Sequence, residues 1–293
     1  MSYSKKIYKK DSKGKIRELH VYSNGAQLIQ ISGLIDGNKV THSSICEPKN
    51  VGRSNETTCE EQADFEAIAK IQSKMSEGYF DSINDAKNNV VILPMLAKDY
   101  KKEFHKVVYP CYVQPKLDGM RALYGNMGSD ILEFISRKGK SITTMSHIES
   151  EFKTLDFVLD GELYAHGESF QENMKLIKKD RGEATKKVKY HVYDIVSDLP
   201  FIERFAILRK FIKGYKNIEL VPTYYITDVY ELQKLHVEFI NLGYEGTIIR
   251  HSNAPYGVNK RDSQLLKYKD FIDEAYEVVD VVPSDKNPNQ GVI

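Results

Sequence analysis

Six short apolar segments of this chain carry ionisable residues where a strand would bury them. This limits the possible folds more than any other feature of the sequence. Lys116, Asp118 and Arg121 lie in QPKLDGMR, Arg137 and Lys138 in FISRKGK, and Asp160 and Glu162 in FVLDGELY. Tyr193 and Asp194 lie in YHVYDIV, Glu245 and Arg250 in YEGTIIR, and Lys267 and Lys269 in LLKYKDF. A charge on a buried strand needs a partner or a solvated cleft. Six such segments in one region predict that their charges converge on a shared pocket.

The periodicity divides the chain in two. Residues 1 to about 56 alternate in strand fashion, in KIYKK, IRELHVYS, AQLIQISGLI and KVTHSSICE, with the Gly-containing turns SKGK, SNGA and DGNK between them. From Thr58 the period becomes helical: Thr58 and Glu61 form a capping-box pattern, and Gly78 marks a stop. Residues 1–80 therefore form a small sheet-plus-helix unit, and the polar stretch DSINDAKNN, residues 81–89, is expected to be a linker. Residues 90–271 mix strand-like and helix-like runs without regular βαβ spacing, which predicts an α+β domain with antiparallel sheets. Within it, KKDRGEATKKVK, residues 178–189, reads as a mobile basic loop, with contact to a DNA backbone as the alternative.

Several chemistries are excluded by motif. There is no GxxxxGK[ST], no GxGxxG opening a helix, no HExxH among the eight histidines and no G-x-S-x-G. Cys46, Cys59 and Cys111 form no CxxC pair and read as free thiols in a reducing compartment. A formal net charge of +1 gives no overall pull toward nucleic acid, so any such binding must come from local patches. The longest apolar run, VVILPMLA, is too short to cross a bilayer, and MSYSKKIYKKDSKGK has no apolar core behind its lysines. The expectation is a soluble intracellular protein of cytoplasm or nucleus, without membrane association and monomeric; compactness and the amino-terminal unit suggest a viral protein in a host cell.

The ordered series KLDGMR, SRKGK, LDGEL, YHVYDIV, EGTIIR and LLKYK, preceded by ILPMLAKDY, resembles the covalent nucleotidyltransferases, most closely the ATP-dependent DNA ligases. The resemblance covers about residues 90 to 270. It implies an antiparallel-sheet, ATP-grasp-like adenylation domain in which Lys116 attacks the α-phosphate of ATP and becomes lysyl-AMP. It further implies that Tyr193 stacks on adenine, Gln114 reads the adenine edge, and Lys267 and Lys269 hold the α-phosphate. Asp118, Arg121 and Arg137 complete the nucleotide site. Glu245 is implied as the metal-side carboxylate and Glu162 as a ribose or metal contact, with Mg²⁺ or Mn²⁺ as the ion. Arg121, Arg137, Lys267 and Lys269 would lower the pKa of Lys116, whereas Asp118, Glu162 and Glu245 would raise it; residue types alone leave the sign open.

The implied substrate is nicked double-stranded DNA with a 5′-phosphate and a 3′-hydroxyl. RNA ligation, GTP-dependent RNA capping, and DNA-end binding without catalysis are the alternatives. Residues 1–80 resemble a WGR-type nucleic-acid-binding domain, although the chain has no Trp and ISGL takes the place of the signature. Lys13, Lys15, Lys49 and Arg53 there, with Lys138, are candidate phosphate contacts, or else a solvated surface. The family closes over its nucleotide with an OB barrel. Residues 272–293, containing EAYEVVDVV, hold only the start of one; a fragment, a truncated gene product and half of a split enzyme with a separate OB-domain partner are the alternatives, and slow self-adenylation by this chain alone is expected.

Overall fold

The computed structural model describes residues 3–11, 14–88, 92–126, 132–270, 280–283 and 291–292. In the amino-terminal unit, β1 (Ser4–Lys10), β2 (Ile16–Asn24), β3 (Gln27–Leu34) and β4 (Lys39–Ile45) form a four-stranded antiparallel meander. Its inward residues Ile7, Leu19, Val21 and Leu28 meet Ala63, Ala67 and Ile71 of α1 (Cys59–Ser76). Alternation in the strands and helical spacing in α1 thus supply the two faces of one small core. The helix begins at the capping box: Thr58 Oγ1 accepts from Glu61 N at 3.2 Å, and Glu61 Oε2 accepts from Thr58 N at 2.9 Å. Thr58→Ala removes one of these bonds and is expected to destabilise the unit by about 1 kcal/mol. Urea unfolding followed by helix signal checks this, and an unchanged midpoint would contradict it.

The stretch 81–89 is not a plain linker, because residues within it form α2 (Ile83–Asn88). Ser82 Oγ accepts from Asp85 N at 3.0 Å, and Ala86 is fully buried. A capping serine and one buried alanine were enough to make a short helix in an otherwise polar run.

The larger unit comprises β5 (Leu96–Asp99), α3 (Tyr100–Glu103), β6 (Cys111–Lys116), β7 (Met120–Asn126), β8 (Leu132–Ser136), β9 (Ser141–Ile142) and α4 (Ser146–Glu149). It continues through β10 (Val158–Tyr164), α5 (Phe170–Lys178), β11 (Lys189–Val196), α6 (Phe201–Phe211), β12 (Ile218–Leu220) and β13 (Tyr224–Ile226). α7 (Val229–Asn241), β14 (Gly246–His251) and β15 (Arg261–Tyr268) complete it. One sheet has the order β12-β11-β10-β7-β8-β9 and the other β13-β6-β14-β15-β5. The sheets are not wholly antiparallel, since β12 joins β11 and β5 joins β15 in parallel. Between β11 and β12 the chain passes through α6, a crossover that returns it in the same direction. The segment 178–189 is not a loose loop: Gly182–Lys187 is a 3₁₀ helix, and Thr185, 1% exposed, donates to Leu176 O and accepts from Arg181 N. The expected OB strand EAYEVVDVV lies mostly outside the described residues; Val282–Pro283 (β16) pairs with Gly291–Val292 (β17).

Candidate active site

The chain changes sheets at Lys116. β6 belongs to the five-stranded sheet and β7 to the six-stranded one, and only Leu117, Asp118 and Gly119 separate them. At Gly119 a Cβ would stand 2.3 Å from Leu163 O, so the crossing can close against β10 only with glycine there. Register then delivers the partners. Lys116 lies opposite Gly246 on β14, Arg121 opposite Glu162 on β10, and Ile248 opposite Lys267 on β15. Between the sheets is a cavity of about 780 Å³ lined by Gln114, Lys116, Asp118, Arg121, Arg137, Lys138, Glu162, Tyr193, Glu245, Lys267 and Lys269. All the residues expected from the six segments to form the nucleotide site therefore meet in one place.

Glu245 touches both Lys116 and Lys269, and its backbone N–H donates to Lys116 O at 2.9 Å. Burial holds the Lys116 amine below the ordinary lysine range; Glu162 and Asp118 oppose that shift, and Arg121 and Arg137 add to it. The sign left open by residue types is therefore downward, toward a more nucleophilic amine. Lys269 is lowered too, first by burial and then by Lys116. Among the described residues no three His, Cys, Asp or Glu side chains form a metal cage. Glu162 and Glu245 both line the cavity, and two carboxylates are a donor set that Mg²⁺ commonly uses together with substrate phosphates.

Burial lifts the Glu162 carboxyl from 4.5 to about 7, against the pull of Lys116 and Arg121. An acid whose folded pKa is raised stabilises the fold below its unfolded pKa and loses that contribution as pH rises. The window here runs from about 4.5 to about 7. Relative to Glu162→Gln, the native chain should lose roughly 2 kcal/mol between pH 5 and pH 7.5. Denaturant unfolding of both proteins at the two pH values measures this, and parallel pH dependence would refute it.

Tyr193 donates to Gly161 O at 3.2 Å, and the guanidinium groups of Arg121 and Arg250 lie 5.7 and 5.2 Å from its ring centre. Arg121 grips the buried Asp160 with two bonds of 2.9 and 2.6 Å, and Tyr256 donates to the same carboxylate at 2.7 Å. Gln114 is only 1% exposed, and its amide is held by Arg250, Thr223 and the Tyr193 carbonyl. Sequence reading missed Arg204, Thr223 and Tyr256. It also missed Lys140 and Arg261, exposed cations that line the same cavity beside Arg137 and Lys138, as does Lys178 at the start of the basic stretch 178–189. A Cβ on Gly139, in the β8–β9 turn, would stand 2.2 Å from Ser76 O, so the end of α1 abuts this basic hairpin. Elsewhere in the amino-terminal unit Lys15 and Arg53 are exposed and Lys49 is paired with Glu66 at 2.9 Å, while Lys13 lies outside the described residues.

Residues 94–269 match the family profile "ATP dependent DNA ligase domain". A DNA ligase of African swine fever virus (isolate Pig/Kenya/KEN-50/1950) is 30% identical over 269 residues, covering 85% of this chain and 62% of the viral protein. A match of that extent cannot fit within residues 94–293 and so includes part of the amino-terminal unit. A Haemophilus influenzae DNA ligase is 29% identical over 157 residues, covering 53% of this chain and 56% of its own. In fold, the chain resembles a Chlorella virus DNA ligase-adenylate with a TM-score of 0.51 at 22% identity, covering 61% and 68% of the two chains. A Lig E DNA ligase gives 0.52 at 22%, covering 62% and 70%. No helix among the described residues is long and apolar enough to cross a membrane. The chain spans about 62% of the length of the viral relatives it matches. With six charged segments gathered at one cavity and a profile match over most of the larger unit, the chain belongs to the ATP-dependent DNA ligase domain family.

Proposed function

We propose that this chain is an ATP-dependent DNA ligase that seals nicks through an adenylate on Lys116. The observation that carries the reading is the Lys116 amine in the cavity wall, with its basicity lowered and Glu162, Glu245, Lys267 and Lys269 around it. In the first step the neutral Nζ attacks the α-phosphorus of ATP; the N–P bond forms, the bond to pyrophosphate breaks, and the amine loses its proton to solvent. AMP then passes to the 5′-phosphate of the nick. The 3′-hydroxyl attacks that phosphorus and expels AMP. Lys267 and Lys269 stabilise the charge that develops on the α-phosphate, and Tyr193 and Gln114 hold the base. Mg²⁺, held by Glu245 and Glu162, would neutralise phosphate charge.

Arg137, Lys138, Lys140 and Lys178 at the cavity rim receive the DNA backbone, and the amino-terminal unit abutting the hairpin extends that interface. Lys15→Glu with Arg53→Glu should weaken binding to nicked duplex and reduce the slope of log K against log salt by roughly 1 for each phosphate no longer neutralised. An unchanged slope would confine DNA to the larger unit. The viral relatives favour action within a host cell.

The central test is incubation with α-labelled ATP or GTP and Mg²⁺, followed by sealing of a nicked DNA duplex and its RNA counterpart. Covalent label from ATP alone, retained through alkaline denaturation and released by acid as expected of a P–N bond, and sealing of DNA are expected. Label from GTP would support capping chemistry, and no covalent label from either would overturn the proposal.

A further inference from the structure

Beneath the base end of the cavity lies a buried chain of charges that the reaction does not itself require. Arg204, on α6 and 1% exposed, grips Asp194 through Nε at 2.7 Å and Nη2 at 3.0 Å. Its remaining nitrogen donates to Ala254 O at 2.7 Å and to Leu199 O. Asp194, fully buried, accepts a third bond from Arg250 Nη1 at 2.6 Å. Arg250 Nε in turn donates to Gln114 Oε1 at 2.7 Å.

This arrangement decides how the Gln114 amide faces. A guanidinium can only donate, so the atom facing Arg250 must be the amide oxygen. The other end agrees: the Thr223 hydroxyl donates to Val221 O at 2.9 Å, which leaves it to accept from Gln114 Nε2, also at 2.9 Å. The second proton on Nε2 points to Tyr193 O at 3.3 Å. Both amide protons are thus committed within the protein, and only a lone pair of Oε1 remains for a ligand. That lone pair accepts from an exocyclic amine, as on adenine, and repels a carbonyl oxygen at the same place, as on guanine.

We infer that Arg204, acting through Asp194 and Arg250, is a positioning residue that locks the Gln114 amide oxygen toward the base and so selects adenine over guanine. The inference rests on the nucleotide-site reading above. It assigns the selection to a residue on α6 that touches neither nucleotide nor cavity.

Equilibrium binding of AMP and GMP by calorimetry tests it, since neither nucleotide carries a leaving pyrophosphate and no reaction intrudes. The unmodified chain should prefer AMP by about 30-fold or more, the size of effect expected when a buried polar group meets a mismatched one. Arg204→Met should reduce that preference at least tenfold, and Arg204→Lys, which keeps charge but loses the forked grip, should fall between. Gln114→Glu presents an oxygen from either end, so adding Arg204→Met to it should leave the preference within about twofold. If Arg204→Met does not fold, Arg204→Lys and its Gln114→Glu double variant carry the same comparison. Preference unchanged in both Arg204 variants, or reduced equally with and without Gln114→Glu, would overturn the relay. Equal binding of AMP and GMP by the unmodified chain would also overturn it while leaving the nucleotide site standing. Binding of neither would refute the site itself.

Discussion

Lys116→Arg will take up no covalent label from ATP, while the same protein still binds the nucleotide. Lysine and arginine both put a cation in this wall, so the substitution separates holding a phosphate from attacking one. Free lysine has a pKa near 10.4, and only about one in a few thousand is neutral at pH 7; burial among Arg121 and Arg137 raises that fraction here. Arginine stays charged throughout the accessible range and offers no lone pair to phosphorus. If the role of position 116 were only electrostatic, arginine would serve, and label would appear on another nucleophile such as Lys267. Mass spectrometry after a denaturing quench at alkaline pH, which preserves a P–N bond, distinguishes the two. Persistent label on the variant would move the chemistry away from residue 116. Nucleotide affinity within about threefold of the native chain shows that any loss is chemical and leaves the fold intact.

Most of this site was legible because a charge in an apolar strand is costly wherever the strand is buried, so the six segments announced a shared cavity before their order suggested a family. The capping box at Thr58 and Glu61 was legible for a similar reason, as a local bond pattern with one structural meaning. Three things were not legible. The sign of the Lys116 shift depended first on how deeply the Lys116 amine itself is buried and only then on the charges of Glu162, Asp118, Arg121 and Arg137, and strand patterns do not specify that depth. The helix Ile83–Asn88 depended on Ala86 finding a surface to bury against. Arg204 sits in IERFAILRKF among other cations and was assigned no role, although a signal was present. Phe201, Arg204 and Leu208 fall on one helical face, and all three are buried. A cation at helical spacing between two core residues should have been read as one with a buried carboxylate partner, and Asp194 in YHVYDIV was available for that role.

Glu245→Ala should reduce adenylate yield by about 10²-fold or more, the scale seen when one preorganised polar group is removed from a reacting centre. Two simple accounts of this carboxylate predict opposite outcomes. It touches Lys116 and Lys269 together, and an anion beside an amine stabilises the charged form. If that were its whole effect, deleting it would leave Lys116 facing Arg121, Arg137 and Lys269, lower its pKa further, and speed attack near pH 7. The geometry argues for the other account. Glu245 is pinned by its own N–H to Lys116 O, and it holds two cations close that would otherwise repel and part. Without it Lys116, the proposed nucleophile, and Lys269, the proposed phosphate contact, lose their fixed spacing, and one of the two carboxylates proposed to hold Mg²⁺ is gone. Positioning of reacting groups is worth far more than one or two pKa units of amine basicity, so the loss should win. Glu245→Gln keeps the shape and one oxygen acceptor but not the charge, and should fall between. Label yield measured from pH 6 to 9 for the native chain and both variants decides the matter. Faster labelling of Glu245→Ala at pH 7 would mean that the carboxylate restrains Lys116 and does not arrange it.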